Sequence, residues 1–115
     1  MRYLSIYRPT AGVEGAMPDA EHMAAMGQLV EEMMAKGVLE STGPLAPRAD
    51  GVRVTLKDGQ FITADETERA GGYAFLHAGS KAEVIEHAKT FLKIAGEGTC
   101  EIRAVPDFGP PPAAA

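Results

Sequence analysis

The sequence predicts one α+β domain of two helices and six strands, in the order β-α-β-β-β-β-α-β. Three observations support this prediction. The length of 115 residues suits a single compact domain. Apolar residues alternate with polar ones in several short segments, as in strands, and recur at helical spacing in two longer ones. The composition, 45% hydrophobic and 23% charged, is that of an ordinary globular protein and excludes wholesale disorder.

Composition also excludes several function classes. The 11 Lys and Arg residues are scattered and the net charge is -5, so the chain has no basic face for binding nucleic acid. No apolar run approaches the roughly 20 residues that cross a membrane. The single cysteine, Cys100, cannot form an internal disulfide, and no signal peptide opens the chain. These two features predict a cytoplasmic protein.

The first half of the chain predicts a strand, a helix and a second strand. Residues 2–7 alternate in side-chain character, as a strand does. A helix of about 19 residues follows, with Asp19 as N-cap or first-turn carboxylate and Gly37 as its left-handed C-terminal residue. Its predicted apolar face consists of Met23, Met26, Val30, Met33 and Met34. A short strand at 38–42 leads into a turn-rich loop at 43–51.

A β-hairpin is the strongest local prediction. Residues 52–57 alternate apolar and polar side chains, and the Asp58-Gly59 pair that follows is typical of a type I′ turn, whose two central residues have positive φ. The register that this turn predicts is Lys57 with Gln60 and Leu56 with Phe61. The returning strand ends at Thr63, and a polar loop covers 64–70.

The second half predicts a strand, a capped helix and a last strand. One side of the strand at 73–78 carries Tyr73, Phe75 and His77. Ser80 and Glu83 have the spacing of a capping box at the start of the second helix. The residues predicted to be buried in this helix are Val84, Ile85, Ala88, Phe91 and Leu92. The last strand covers 100–105, and residues 106–115 form a tail rich in Pro and Ala.

This order gives a ferredoxin-like layout with an extra hairpin, in which one sheet carries both helices on one face. Two helices cover only one face of such a sheet. The other face would then expose an apolar patch larger than monomers usually tolerate. A two-fold homodimer that packs the open sheet faces together is the simplest solution, and a monomer is the alternative.

Several short motifs, in their order and spacing, resemble the YCII-related domain family. They are Arg-Tyr-Leu-Ser-Ile-Tyr at 2–7, His22 early in the first helix, Ala-Lys-Gly-Val-Leu at 35–39, Thr-Gly-Pro-Leu at 42–45, Gly-Gly-Tyr at 71–73 and Glu-Ile-Arg at 101–103. The resemblance covers residues 1–105. It implies a ferredoxin-like homodimer of the dimeric α/β-barrel superfamily. It does not imply a function, because most members of the YCII-related family are uncharacterised.

Two branches of that family carry site motifs, and this sequence departs from both. In the compact branch a histidine of the first helix pairs with an aspartate two residues before the closing glycine; here His22 is present, but Ala35 stands in the aspartate position. In the branch with a Thr-Asp-Gly-Pro-Phe signature after the hairpin, the Gly-Pro-Phe is missing here, and only Asp65 matches the acid.

His22 and Asp65 are the predicted catalytic residues. An imidazole titrates near neutral pH and suits a general base, and a carboxylate that folds inward becomes a proton acceptor. The simpler interpretation of His22 is a first-turn histidine that hydrogen-bonds a neighbour or water. The simpler interpretation of Asp65 is a member of a solvated charged loop. The predicted ligand-binding residues are Arg69, Tyr3, Ser41 and Arg103, the last three on condition that they face away from the helices. Each of these also has an ordinary structural interpretation.

The sequence predicts no cofactor. The three histidines and one cysteine are too dispersed in the sequence for a zinc site. His77 is expected to line a cleft, to lie in the dimer seam or to pack against neighbouring side chains. His87 is expected to be exposed to solvent. No glycine-rich nucleotide motif follows a strand. A dimer-associated cleft ringed by His22, Asp65 and Arg69 supports the function predicted, a small cofactor-independent enzyme that moves a proton on a small anionic or aromatic metabolite. The alternative is a non-catalytic module that binds a small molecule or a protein.

Overall fold

The computed structural model describes residues 1–10 and 20–106, and within them the predicted order of six strands and two helices is confirmed. The elements are β1 (Arg2–Pro9), α1 (Ala20–Ala35), β2 (Leu39–Pro44), β3 (Val52–Lys57), β4 (Gln60–Asp65), β5 (Gly72–His77), α2 (Lys81–Ala95) and β6 (Gly98–Val105). A 3-10 turn, Arg48–Asp50, lies in the loop after β2. The predicted N-cap Asp19 and the tail at 107–115 lie outside the described residues.

Four strands form the main sheet in the order β2-β5-β1-β6, and every neighbouring pair is antiparallel. Each helix connects an outer strand of this sheet with an inner one, so the ferredoxin-like α+β layout is confirmed. The core lies between the sheet and the helices and contains Tyr3, Leu39, Leu76, Ala78 and Val84. Because these strand residues share one face, the helices cover that face, and no helix among residues 1–10 and 20–106 covers the other.

The hairpin corrects the prediction of a single sheet. β3 and β4 form a separate two-stranded sheet. Its register is the predicted one, Lys57 with Gln60 and Leu56 with Phe61. Asp58 and Gly59 have φ values of 52° and 77°, as a type I′ turn requires. β4 continues to Asp65, two residues beyond the predicted end at Thr63.

The apolar face of α1 is also corrected. The buried residue is Leu29, which the prediction left out, while Met23 and Met34 are 57% and 46% exposed. At 3.6 residues per turn, Met23 and Met34 stand roughly 120° and 140° around the helix from Leu29, whereas Met33 stands about 40° away. Met33 accordingly packs against the core. Gly37 ends the helix with φ of 74°, as predicted.

The start of α2 shows a modified capping box. The Ser80 hydroxyl accepts a hydrogen bond from the Glu83 N–H at 3.2 Å, as predicted. The Glu83 carboxylate accepts from the N–H of Gly79 at 2.9 Å instead of from Ser80, one residue further back. Val84 and Ala88 are buried, but Ile85 is 41% exposed and so does not belong to the predicted buried stripe.

Candidate functional site

The uncovered face of the main sheet, which we call the open face, is formed by the strand positions that alternate with the core residues. It carries Leu4, Ile6 and Arg8 of β1, Tyr73, Phe75 and His77 of β5, and Thr99, Glu101 and Arg103 of β6. Its apolar residues Leu4, Ile6, Tyr73 and Phe75 are half-buried. The open face is therefore an apolar floor with charged groups at its two ends.

One end of the open face holds three interacting side chains, the Arg2–Glu40–His77 cluster. Arg2 donates from Nη2 to Glu40 Oε2 at 2.6 Å and from Nε to both carboxylate oxygens at 3.2 Å. His77 Nε2 lies 3.1 Å from Glu40 Oε1. The Arg2 guanidinium also lies over the Phe75 ring, 4.2 Å from its centroid. The cluster is thus tied both to an aromatic ring and to three different strands.

Strand pairing explains how these residues meet. Arg2 and His77 are directly opposite each other in the β1–β5 ladder. In the β2–β5 ladder Leu39 pairs with Leu76 and Ser41 pairs with Phe75, so the register shifts at Glu40. An extra residue of this kind re-aims side chains, and such bulges are common beside functional sites. The shift turns the Glu40 carboxylate towards Arg2 and His77.

The electrostatics of the cluster favour an ionised carboxylate beside an imidazole. The hydrogen bond from Arg2 is the main reason that the pKa of Glu40 is lowered, with a further contribution from the His77 hydrogen bond. A carboxylate accepts hydrogen bonds, so Nε2 carries the proton in neutral His77 and the lone pair is on Nδ1. Glu40 also stabilises the imidazolium that forms when Nδ1 takes a proton. This is the arrangement of a general base held by a carboxylate.

A cleft of about 470 Å³ lies at the other end of the open face, between the ends of β1 and β6 and the loop before β5. Arg8 is central to it, with ion pairs to Glu68 at 3.2 Å and to Glu101 at 3.3 Å. Its Nη1 also donates to the carbonyl oxygen of Arg69 at 2.9 Å. Arg2 and Arg8 are six residues apart in β1, which places the cluster and the cleft roughly 20 Å from each other.

The loop that borders the cleft is shaped by Glu66. Its Oε1 accepts hydrogen bonds from the N–H groups of Glu68 and Thr67, both at 2.9 Å. The hydrogen bond from Glu68 is the main reason that the pKa of the Glu66 carboxyl is lowered, and the bond from Thr67 contributes further. Glu68 and Arg69, in the same loop, line the cleft. The carboxylates of Glu68 and Glu101 there balance the charge of the Arg8 and Arg69 guanidinium groups.

The predicted catalytic residues lie apart from both features. His22 is in α1, seven residues or about two helical turns before the buried Leu29, and so on the same side of the helix. That side is the buried side of α1. Asp65 is the exposed last residue of β4 in the separate hairpin. Neither residue lines the cleft or contacts the Arg2–Glu40–His77 cluster.

The predicted ligand-binding residues are divided between two environments. Tyr3 is 9% exposed and belongs to the core beneath the helices, so the condition under which it was expected to line a cleft is not met. Arg69 lines the cleft. Ser41 and Arg103 share the open face, in β2 and β6.

Sequence reasoning missed Arg2 and Glu40 and left His77 among several interpretations. Arg2 could have been found, because it alternates with Leu4 and Ile6 in the first strand and so shares a face with them. Glu40 carried no such signal, because its position depends on the bulge. The expectation for His87 is corrected: its side chain is only 23% exposed, with Nε2 3.7 Å from Glu83 Oε1 on the preceding turn of α2.

The described residues contain neither a metal-site geometry nor a helix suited to crossing a membrane. No group of three or more His, Cys, Asp or Glu side chains in residues 1–10 and 20–106 is arranged to hold a metal ion. Over the same residues, neither helix combines the length and the apolar character that crossing a membrane would take.

Comparison with known proteins informs the fold. No protein-family model matches the sequence, and a search of curated proteins finds no match. A similar solved structure is that of 5-chloro-2-hydroxyhydroquinone dehydrochlorinase from Burkholderia phenoliruptrix, in complex with 2,5-dihydroxybenzoquinone. The TM-score is 0.56 at 18% sequence identity, and the match covers 92% of this chain and 94% of that chain. At this identity the likeness shows that the two chains share a fold.

Proposed function

We propose that this protein is a YCII-related homodimer of the dimeric α/β-barrel type, and a cofactor-independent enzyme that moves a proton on a small planar, anionic metabolite. His77 is the proton carrier and Glu40 is its positioning residue. The observation that carries the proposal is the Arg2–Glu40–His77 cluster on the open face, beside the Phe75 ring.

The chemistry follows from the geometry of the cluster. An acidic O–H or C–H of the metabolite gives its proton to Nδ1 of neutral His77. The imidazolium that results is stabilised by the Glu40 carboxylate at 3.1 Å. The proton then returns to another atom of the metabolite or passes to water, so the step needs no oxidant and no second substrate. Arg2 keeps Glu40 ionised throughout this cycle.

The homodimer supplies the walls that the open face lacks. Leu4, Ile6, Tyr73 and Phe75 form a half-buried apolar floor that is suited to a flat ring. A second copy packed against this face would enclose the ring and exclude water around His77, which strengthens the electrostatic interactions there. The proposed active site therefore lies between two subunits.

The structural neighbour supports the class of metabolite and supplies a probe. Its ligand, 2,5-dihydroxybenzoquinone, is a small planar ring with two acidic hydroxyl groups. Such a ring fits an apolar floor with cationic groups at its edge. Dehydrochlorination, the reaction in the neighbour's name, removes a proton and a chloride ion, and its proton-transfer step is of the kind that His77 can perform.

The experiment combines binding and turnover. Binding of 2,5-dihydroxybenzoquinone and of a panel of hydroxylated and carboxylated benzenes is measured by calorimetry. Turnover of 5-chloro-2-hydroxyhydroquinone is measured by chloride release, and proton exchange of each panel ligand that binds is followed by NMR. His77→Asn is expected to lower turnover or exchange by about 100-fold or more, the usual contribution of a general base. Glu40→Gln is expected to lower turnover or exchange less than His77→Asn does, because the imidazole remains but loses its carboxylate partner.

His22→Asn and His87→Asn are the matched controls, since each removes an imidazole on the helix side of the sheet. Both are expected to leave turnover unchanged. Loss of turnover in His22→Asn with full turnover in His77→Asn would assign the proton transfer to His22 and contradict the proposal. Binding without any turnover or exchange would favour the non-catalytic module, and no binding across the panel would refute the metabolite class.

A further inference from the structure

Arg103 lies on the open face, and the proposed function gives it no role. It is directly opposite Leu4 of β1, and Leu4 is in turn directly opposite Phe75 of β5. Ile102, the preceding residue, packs against the core on the other side of the sheet, so alternation along β6 places the exposed Arg103 side chain on the open face. A guanidinium group therefore stands at the edge of the half-buried apolar floor.

Arg103 differs from the other arginines of this face because it has no acidic partner. Arg2 forms an ion pair with Glu40, and Arg8 forms one with Glu101. Glu101 is the acidic residue nearest to Arg103 on the same side of β6, and it is already paired with Arg8. Across the part of the chain that the structure describes, no ion pair or side-chain hydrogen bond involves Arg103.

Electrostatics favour an anionic ligand group as the partner of Arg103. The formal net charge of the chain is -5, so its overall field repels an anion, and a site for an anion needs a local cation. In the homodimer proposed above, the second copy encloses the open face and removes Arg103 from bulk water. A charge that leaves water is costly unless an opposite charge pairs with it. A bound anion supplies that opposite charge.

We propose that Arg103 binds a carboxylate of the metabolite, and that the substrate is therefore a hydroxylated aromatic carboxylate. This inference rests on the proposed function, which assigns the proton transfer to His77. A guanidinium group donates two parallel hydrogen bonds to a carboxylate, which fixes both the position and the plane of the group. Arg103 is thus the residue that determines which rings bind, and His77 is the residue that acts on them.

Strand spacing shows how one ring reaches both residues. Leu4 is directly opposite Arg103, which places their Cβ atoms roughly 5 Å apart, and is diagonal to His77, roughly 7 Å away on the other side of β1. A ring that lies over Leu4 therefore has Arg103 on one side and His77 on the other. When its carboxylate binds Arg103, the para position of the ring is the one directed towards His77. The expected ligand carries its acidic hydroxyl at that position.

The test compares binding of 4-hydroxybenzoate and 4-hydroxybenzamide to the full chain by calorimetry, because the amide has the same shape without the charge. The benzoate is expected to bind about 10- to 100-fold more tightly, the range of hydrogen bonds between charged groups. Arg103→Gln is expected to abolish this preference by weakening benzoate binding alone. Arg103→Lys is expected to retain part of it, because Lys keeps the charge but not the two parallel donors. 2-Hydroxybenzoate, with its hydroxyl beside the carboxylate, is expected to bind more weakly than 4-hydroxybenzoate.

Arg53→Gln is the matched control. It removes the same group and the same charge from β3 of the hairpin, outside the main sheet. It is expected to leave both affinities unchanged, and circular dichroism verifies that every variant is folded. Sedimentation of Arg103→Gln tests the other possible partner, an acidic group of the second copy. A weakened dimer with an intact preference for the benzoate would assign Arg103 to the subunit contact and overturn the inference.

Failure of this inference is distinguishable from failure of the proposed function. Equal affinities for the benzoate and the amide, or equal effects of Arg103→Gln and Arg53→Gln, would overturn the role of Arg103 even where His77→Asn abolishes turnover. Equal binding of the two hydroxybenzoates would overturn the placement of the ring between Arg103 and His77. Full turnover in His77→Asn, with the benzoate preference still lost in Arg103→Gln, would refute the proposed function and leave the carboxylate site in place.

Discussion

The core that supports the open face depends on Val84, and its truncation gives a quantitative test of the packing. Val84 is the one fully buried large side chain in the described residues, at 1% exposure, and it packs between α2 and the sheet. Val84→Ala removes two carbons, which costs about 1.6 kcal/mol of transfer free energy. Incomplete closure of the space adds about 1 kcal/mol. The higher helix propensity of Ala offsets roughly 0.5 kcal/mol. The net loss of unfolding free energy is therefore about 2 kcal/mol.

Urea unfolding at one fixed protein concentration measures this loss, because association would otherwise change the apparent stability. The midpoint is expected to fall with the slope m unchanged, and Tm is expected to fall by roughly 10 °C. Ile85→Ala is the control in the same helix. It removes three carbons, but Ile85 is 41% exposed. Its cost is expected to be about 1 kcal/mol. An equal or larger cost for Ile85→Ala would refute this account of the core.

Three further predictions concern pH, glycine and the helix cap. Burial is the main reason that the pKa values of both Cys100 and Tyr7 are raised, so the folded state disfavours the thiolate and the phenolate. The unfolded chain ionises first, so the contribution of these two groups to the unfolding free energy is expected to be constant below the ordinary thiol pKa of 9.0 and to fall as pH rises above it. Cys100→Ser should flatten the first part of this fall in denaturant titrations. In thermal melts, Gly27→Ala, where a Cβ meets nothing within 4 Å in the interior of α1, should stabilise the protein by roughly 0.5–1 kcal/mol. Gly37→Ala, at φ of 74°, should destabilise it by about 1 kcal/mol. Ser80→Ala removes the cap of α2 and should cost about 1 kcal/mol in the same melts, whereas Ser80→Asp should cost little.

The hairpin shows both what the sequence predicts well and where the prediction stops. Its turn and register depend on two adjacent residues, Asp58 and Gly59, whose positive φ is a local property. Its position outside the main sheet depends on what covers Val54 and Leu56. Alternation shows that one side of a strand is apolar, but it does not identify the surface that the apolar side contacts. The same limit applies to α1, where spacing predicts a helix yet Leu29, not the methionines at 23 and 34, proves to be buried.

The candidate site was harder to predict for a related reason. The prediction of His22 and Asp65 rests on their residue types and on their match to two family motifs, and neither of these depends on strand pairing. The Arg2–Glu40–His77 cluster is brought together by strand pairing over 37 and 38 positions of chain. A shift of one residue in a strand reverses which side chains share a face, so the bulge at Glu40 alone determines whether its carboxylate can reach His77. Arg2 and His77 follow from the alternation of their strands once the topology is known. The position of Glu40 depends on the bulge, which no local pattern in the sequence indicates. Sequence analysis therefore cannot select the residue that orients the proposed base.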